Sequence, residues 1–255
     1  MMKKATAANI AGFLNRTLQV KRIKDSSANG LQVRSDSRGT IKKVGFAVDA
    51  CLSTFEKAKK LKVGFLVVHH GIKWRKQKNR DLAKQRTAYL IRNRMALYAA
   101  HLPLDLHRIY GNNMQLSRML DVQHLRKFGR YHGIKIGYAG TFKQSVTINA
   151  IKEILNRKLR TKCRVFPFGR ERIRSIGIIS GGGGSLLLEA CREKLDCFLV
   201  GEIDLTVHNT AKELGMNLIV AGHYATETVG VRSLMPLIRD TFGVETVFVD
   251  DPKEL

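Results

Sequence analysis

Cysteine and long apolar runs are both scarce in this 255-residue chain. Cys51, Cys163, Cys191 and Cys197 are scattered without C-x-x-C spacing, which indicates neither a disulfide framework nor a zinc ribbon and predicts buried thiols. No segment approaches the roughly 18 uninterrupted apolar residues of a membrane span. The first residues lack the apolar stretch and cleavage pattern of a secretory signal. The sequence therefore predicts a soluble cytoplasmic protein.

Acidic residues are also few, and the excess of positive charge is uneven. The chain has 21 acidic residues against 45 lysines and arginines, a net charge of +24. The first 130 residues hold 28 basic and 7 acidic residues, and the rest hold 17 and 14. The densest basic stretch is Lys73–Arg94. It indicates either a solvated helix face or a surface for nucleotides or nucleic acid, with Trp74 and Tyr89 as stacking groups.

Short apolar runs alternate with helical patterns along the whole chain. The predicted strands are Lys43–Val48, Val63–Val68, Met95–Ala100, Lys135–Gly140, Cys163–Phe168, Ile176–Ser180, Cys197–Val200, Asn217–Ala221 and Val247–Val249. The predicted helices are Ala5–Leu18, Thr54–Leu61, Asp81–Arg94, Asn113–Leu120, Ile148–Leu159, Leu186–Leu195, Thr206–Leu214 and Glu227–Phe242, the last interrupted or bent near Pro236. This alternation predicts an α/β fold with mixed, largely parallel sheets.

Two adjacent histidines follow the predicted strand Val63–Val68. Adjacent side chains on a regular strand point to opposite faces, so His69 and His70 serve one site only if the strand ends there. Gly71 supports that ending, and adjacent imidazoles at a strand end can reach two metal ions. The alternative is a pair of loop histidines with ordinary hydrogen bonds.

Two further segments place metal-ligand side chains after predicted strands. Pro103 disfavours a regular helix, so His101 and Asp105 lie on a fixed bend, although Asp105 could instead cap the following turn. His223 and Glu227 have the i,i+4 spacing of one helix side, although a glutamate at a helix start is also favoured by the helix dipole. Because parallel strands end at one sheet edge, the segments together predict a metal site.

The combined motifs resemble the NIF3-like dinuclear metal-centre family, whose members are also described as type 2 homologues of GTP cyclohydrolase I. The motifs that carry the resemblance are NGLQV at 29–33, VHHG at 68–71, HLPLD at 101–105, GNN at 111–113, GE at 201–202 with His208, and GHYATE at 222–227. They occur in the family's order, from the first helix to the last strand.

The resemblance implies a ligand set, an assembly and a domain organisation. It implies two divalent ions held by His69, His70, Asp105, His223 and Glu227, with Glu227 as the bridge and with His101 and His208 lining the site. It also implies a toroidal homohexamer and two interlinked α/β domains. The metal-site domain would be 1–125 plus 217–255, and 126–216 would be inserted. These ligands suit zinc, manganese, iron and nickel alike.

Hydrolysis is the reaction class that a bridged pair of divalent ions implies, because the pair lowers the pKa of a shared water. On GTP the attack would fall on the carbon between the imidazole-ring nitrogens of guanine. His101 or His208 would move the proton, and Lys73, Arg75 and Lys76 are candidates for holding the triphosphate.

Four consecutive glycines and the net positive charge allow a second interpretation of the function. Gly181, Gly182, Gly183 and Gly184 follow a predicted strand and precede a helix, which indicates a tight turn or a phosphate cradle. The run lacks the Gly-Lys-Ser/Thr of a P-loop. The alternative function is a basic hexameric ring that binds nucleic acid and whose metals are structural or regulatory.

Overall fold

The computed structural model describes residues 4–34, 39–76 and 79–253, which fall into two compact units. The helices are α1 (Ala7–Thr17), α2 (Leu52–Lys60), α3 (Arg80–Arg92), α4 (Leu102–Asp105), α5 (Asn112–Met119), α6 (Ile148–Leu159), α7 (Leu187–Arg192), α8 (Leu205–Glu213) and α9 (His223–Phe242). The strands are β1 (Gly30–Val33), β2 (Lys43–Asp49), β3 (Phe65–His70), β4 (Ala96–Ala99), β5 (Gln123–Tyr131), β6 (Ile134–Thr147), β7 (Arg164–Phe166), β8 (Arg172–Ile179), β9 (Cys197–Val200), β10 (Asn217–Val220) and β11 (Glu245–Phe248).

The first unit contains the chain up to Leu104 together with Val231–Asp251, and the second is built on Asp105–Gly230. These boundaries differ from the predicted ones, which fell after residues 125 and 216. The reason lies in strand pairing. Strand β10 pairs with β9 and β7 and is therefore part of the second unit's sheet. Strand β5 pairs with β6 in that same sheet, so the unit begins before it.

The first unit is built on a five-stranded sheet with the order β1-β4-β3-β2-β11. Strands β4, β3, β2 and β11 are parallel, and β1 is an antiparallel edge strand. The strands at the centre are apolar and buried on both faces, as parallel strands covered by helices require. One core cluster of this unit contains Phe55, Leu66 and Leu97, all fully buried. The predicted parallel pairing is confirmed here.

The second unit is built on a six-stranded sheet with the order β5-β6-β8-β9-β10-β7. Strands β8, β9 and β10 are parallel, whereas β5, β6 and β8 form an antiparallel succession and β7 is antiparallel to β10. The α/β class with mixed sheets is thus confirmed, and both flanks of this sheet are antiparallel. Ile151, Ile176 and Leu199 belong to its core cluster.

Side-chain caps and one glycine fix several helix starts. Thr147 accepts a hydrogen bond from the Ala150 amide at 3.2 Å and so begins α6. Gly222 has φ +87°, which lets the chain leave β10 and begin α9 at His223. Helix α9 is continuous through Pro236, so it is not interrupted there, and the alternative of a bend stays a prediction. In the described part of the chain, we find no helix with the length and apolarity that a bilayer crossing requires.

The prediction of buried thiols holds for two of the four cysteines. Cys163 and Cys197 are buried and free, whereas Cys51 and Cys191 are half-buried. Burial raises the pKa of the Cys163 thiol to about 11, so this group stays protonated at neutral pH.

Candidate metal centre

Three histidines of the first unit converge at one edge of its sheet. His69 and His70 are the last two residues of β3, and His101 follows the neighbouring parallel strand β4. The ring centroid of His69 lies 4.6 Å from that of His70 and 5.1 Å from that of His101. One ring nitrogen of each of the three lies within 4.8 Å of the others. The three imidazoles are therefore close enough to serve the same cation.

The first two histidines are held in a defined tautomer by oxygen acceptors. His69 is fully buried, and its Nδ1 is 3.0 Å from the carbonyl oxygen of Ala100. His70 Nδ1 is 2.8 Å from Oδ1 of Asp49, which lies opposite it on β2. A carbonyl or an ionised carboxylate can only accept, so the proton is on Nδ1 and the lone pair of each neutral ring is on Nε2. This is the usual orientation of metal-ligating histidines.

His101 is oriented by Asp25, a residue that the sequence analysis did not identify. His101 Nδ1 donates to Asp25 Oδ1 at 3.0 Å, and the Asp25 side chain is only 2% exposed. Burial alone would raise the pKa of the Asp25 carboxyl group. The hydrogen bond and charge of His101, with hydrogen bonds from Asn29 and the Ser27 amide, instead hold that pKa well below its usual range. Asp25 is therefore an ionised partner that fixes the His101 ring.

The NGLQV segment at 29–33 forms hydrogen bonds with the chain on either side of the histidine cluster. Asn29 accepts a hydrogen bond from the His101 amide at 2.7 Å. Gln32 accepts from the Ile72 amide at 2.7 Å and so ties β1 to the loop after β3. A side chain on Gly71 would overlap Gln32, which explains the glycine after the histidine pair. Residues 30–33 of this segment form strand β1, which pairs with β4.

The three predicted phosphate-binding residues lie in the loop that follows β3. Lys73, Arg75 and Lys76 are exposed. Trp74 is half-buried, and its ring lies edge-on to His101 at a centroid distance of 5.1 Å. Because this indole is packed against the histidine cluster, it is not a free stacking surface. Tyr89 likewise stacks on a core ring, that of Phe55.

In the second unit, His223 lies between two carboxylates. Its Nε2 is 3.2 Å from Oε1 of Glu227 on the next turn of α9, and its Nδ1 is 3.0 Å from Oε2 of Glu202. Burial would lower the pKa of His223, but the hydrogen bond and charge of Glu227, with those of Glu202, raise it to about 9. The two carboxylates therefore favour a positive charge beside them.

Asp105 is buried beside the turn that contains the four glycines. Its Oδ1 accepts from Asn112 Nδ2 at 2.8 Å and from Ser180 Oγ at 3.2 Å. Asn112 also accepts from the Gly230 amide of α9 at 2.8 Å. The carboxylate is thus oriented by two side-chain donors in the same unit. Whether Asp105 also caps the following turn, the other interpretation of this residue, stays open.

Close packing accounts for two of the four glycines. Gly181 has φ +64°, its amide donates to Thr226 Oγ1 at 3.0 Å, and an added Cβ would overlap Glu227 Oε1. An added Cβ on Gly183 would overlap Ile179. The turn therefore approaches Glu227 more closely than any side chain would allow. A role of Gly181, Gly182, Gly183 and Gly184 in phosphate binding stays a prediction.

His208 has surroundings unlike those of the other candidate residues. Its ring lies edge-on to Phe166 at 4.9 Å and to Phe168 at 5.4 Å, and its Nδ1 is 3.2 Å from Asn209 Oδ1. Within the described residues of its unit, we find no hydrogen bond from His208 to Asp105, His223 or Glu227. Its predicted role in catalysis stays a prediction.

The donor atoms of both units fit a divalent metal. The first unit supplies three oriented imidazoles, and the second supplies an imidazole and carboxylates. Nitrogen and carboxylate oxygen without thiolate suit zinc, manganese, iron and nickel. The chain is thus an α/β protein whose strand ends carry candidate metal ligands.

The sequence profile of the DUF34/NIF3 family (NGG1p interacting factor 3) matches residues 5–254, and the chain belongs to this family. It is 42% identical over 248 residues to the GTP cyclohydrolase 1 type 2 homolog of Pyrococcus abyssi (strain GE5 / Orsay), covering 96% of this chain and 98% of that protein. The family resemblance found in the sequence is confirmed.

Solved structures agree with this assignment. The structure of TTHA1606 from Thermus thermophilus superposes with a TM-score of 0.87 at 33% identity, covering 97% of this chain and 99% of that chain. The protein ybgI, described as of unknown function, superposes with a TM-score of 0.88 at 27% identity, covering 99% of each chain. The fold is therefore that of the family over nearly the whole chain.

Proposed function

We propose that this protein is a metal-dependent hydrolase that acts on GTP or a related nucleotide. In this proposal two divalent ions are held by His69, His70, Asp105, His223 and Glu227, with Glu227 as the bridge. When bound, the ions supply Lewis-acid chemistry that brings the pKa of water toward neutrality. The cyclohydrolase name of the Pyrococcus abyssi relative supports a purine nucleotide as the substrate class.

The hydrogen bonds at Nδ1 of His69 and His70 are the observation that best supports this proposal. Ala100 and Asp49 fix the tautomers of His69 and His70 so that both Nε2 atoms carry the lone pair. A buried imidazole in any role needs an acceptor for its N–H, so it is the same orientation at two adjacent rings that favours metal binding. The same arrangement at both rings supports two adjacent ligands.

We assign the proton transfer to His101. Asp25 holds its Nδ1–H, so Nε2 can accept a proton and the resulting imidazolium is stabilised by the buried carboxylate. Asp25 itself does not need to change its protonation state, because its pKa is already far below neutral pH. His101 therefore has the partner that a general base needs.

Lys73, Arg75 and Lys76 are proposed to hold the triphosphate. They are exposed in the loop that directly follows the histidine pair. Each presents a positive charge to solvent near the sheet edge at which the imidazoles converge.

The test is release of formate from GTP, because opening of the guanine imidazole ring and hydrolysis liberate that carbon. We expect formate to form with at least one of manganese, iron or zinc and to stop when the metal is removed by a chelator. Absence of formate with all three metals would reject the GTP assignment.

Asp25→Asn is expected to reduce turnover by at least about 10-fold, because an amide can present its NH₂ group to His101 and favour the wrong tautomer. Metal content should not change, because none of the described contacts joins Asp25 to any of the five proposed ligands. Steady-state kinetics and metal analysis of the same preparation measure the two quantities, and circular dichroism confirms the fold.

Asp49→Asn is the matched control for this change. Asp49 orients His70, which is a proposed ligand, so we expect this variant to lose metal affinity by about 10-fold. Equal loss of metal in both variants would contradict the separate roles of Asp25 and Asp49.

A second candidate function follows from the basic surface of the first unit. Besides the loop residues, helix α3 exposes Arg80, Lys84 and Arg92, and its one fully buried residue is Leu90. A homohexamer would repeat this charge around a ring, and such a ring could bind the backbone of nucleic acid without reading its sequence.

DNA binding at two salt concentrations separates the two functions. A ring that binds the DNA backbone should lose affinity steeply as salt rises, and Glu227→Gln should not change that affinity. Analytical ultracentrifugation reports the proposed hexamer in the same samples. If DNA does not bind at moderate salt, the second candidate is wrong.

A further inference from the structure

The second unit has a cavity that none of the proposed metal ligands lines. Its volume is about 420 Å³. The lining residues are Arg130, Ser185, Leu186, Leu188, Glu189 and Arg192. They come from strand β5, from the 3-10 turn Gly183–Leu186 and from helix α7. Cavities of a few hundred Å³ are the size class of small-ligand sites.

Glu189 is the one acidic residue among those that line the cavity, and it accepts hydrogen bonds from backbone amides. Glu189 Oε1 accepts from the Gly129 amide at 3.1 Å, and Oε2 accepts from the Arg130 amide at 2.7 Å. Both oxygens therefore face strand β5. The carboxylate thus joins helix α7 to strand β5. Most of its capacity to accept hydrogen bonds is used by these two amides.

Two guanidinium groups face the same space. Arg130 Nη1 donates to the carbonyl oxygen of Gly133 at 3.2 Å, which limits the positions of its side chain. Within the described residues, neither Arg130 nor Arg192 has a carboxylate oxygen within 4.0 Å. The neighbouring acid Glu193 is already paired with Arg126. Both side chains are exposed, so a ligand that enters the cavity from solvent can reach them.

The remaining lining residues are two leucines and a serine. Leu188 is 52% exposed and Leu186 is 9% exposed. Gly129 has φ +74°, and an added Cβ would overlap Ile179 and lie 3.2 Å from Leu186 Cδ1, so the glycine allows β5 to pack closely against β8 and the turn. The exposed Ser185 adds a hydroxyl group. The lining thus combines two cations and a hydroxyl with an apolar face.

We propose that this cavity binds a phosphate monoester that has an apolar or aromatic substituent. Two guanidinium groups and a hydroxyl match the oxygens of a phosphate, and Arg binds phosphate through paired N–H donors. The apolar substituent would lie on Leu188. This inference does not depend on the proposed hydrolase activity, because no proposed ligand or proton-transfer residue lines the cavity.

The test is titration calorimetry of the full-length protein with phenyl phosphate, inorganic phosphate and benzoate. We expect phenyl phosphate to bind most tightly, inorganic phosphate more weakly because it lacks the apolar part, and benzoate more weakly because a carboxylate has fewer oxygens. If benzoate binds as tightly as phenyl phosphate, the phosphate assignment is wrong. If inorganic phosphate binds as tightly, the apolar face has no role.

Single substitutions locate the binding. Arg192→Gln and Arg130→Gln should each raise the dissociation constant of phenyl phosphate by at least about 10-fold, because each removes a charged donor. Arg126→Gln is the matched control: it lies on the same strand, is paired with Glu193 and does not line the cavity, so it should have no effect.

Glu227→Gln distinguishes this cavity from the proposed metal centre. Phenyl phosphate should bind this variant with unchanged affinity. Loss of binding in Glu227→Gln, or equal affinity in Arg192→Gln and the unaltered protein, would overturn the proposal.

Discussion

Glu227→Gln should strip divalent metal from the protein while the fold persists. The side chain of Glu227 is 5% exposed, and its Oε1 lies 3.2 Å from His223 Nε2. Glutamine has nearly the same shape but no charge, so it cannot act as a bridging anion. Removal of an outer partner of a metal site already costs up to about 100-fold in affinity, and loss of a bridging ligand should cost at least that. Metal analysis after dialysis against a weak chelator measures the loss.

Glu202→Gln is the control for the Glu227 prediction. Glu202 contacts the other nitrogen of His223, its side chain is 44% exposed, and it is not one of the proposed ligands. We expect its replacement to reduce metal affinity by less than about 10-fold, as for a partner that only orients the ring. Full metal retention in Glu227→Gln together with loss in Glu202→Gln would transfer the ligand role to Glu202.

Buried parallel strands were the most predictable part of the fold. Cys197–Val200 and helix Ile148–Leu159 occur with the predicted bounds. The reason is that a strand covered on both faces is apolar along its length, and an amphipathic helix has an equally clear period. Strands β1 and β5 were missed because both are antiparallel edge strands whose sequences mix polar and apolar residues, without a continuous apolar run.

The residue types of the candidate site were predictable from strand ends, but their partners were not. His69, His70 and His101 follow apolar runs, and this position is visible in the sequence. Asp25 is 76 residues away from His101 along the chain and lies in a polar loop without any local signal. Its role depends on a tertiary contact. Glu202 belongs to the GE motif at 201–202, but its contact with His223 likewise depends on the fold.

The adjacent histidines lie at the end of a strand, as the condition for serving one site required. The predicted strand stopped at Val68, whereas β3 continues through both histidines to His70. The strand ends directly after His70, and the two ring centroids lie 4.6 Å apart. The convergence therefore depends on the strand end at Gly71, as predicted, and not on a loop conformation of the histidines.

Gly181→Ala should lower metal affinity although Gly181 is no ligand. At φ +64° an alanine costs about 1–2 kcal/mol, and its Cβ would overlap Glu227 Oε1 and lie 3.1 Å from His223 Nε2. The overlap is relieved most easily by rotation of the Glu227 carboxylate, which is the end of a flexible side chain. Because ligand geometry sets affinity, we expect a loss of about 10- to 100-fold.

Gly182→Ala is the matched control for the glycine prediction, since the two residues are adjacent in the same turn. Gly182 is exposed, has φ −82°, and its added Cβ would lie 3.3 Å from Glu202 Oε1. We expect its metal affinity and thermal stability to stay close to those of the unaltered protein. If Gly181→Ala loses stability but keeps its metal, Gly181 is needed only for the backbone conformation of the turn. If both variants lose metal equally, the close approach to Glu227 is not the cause.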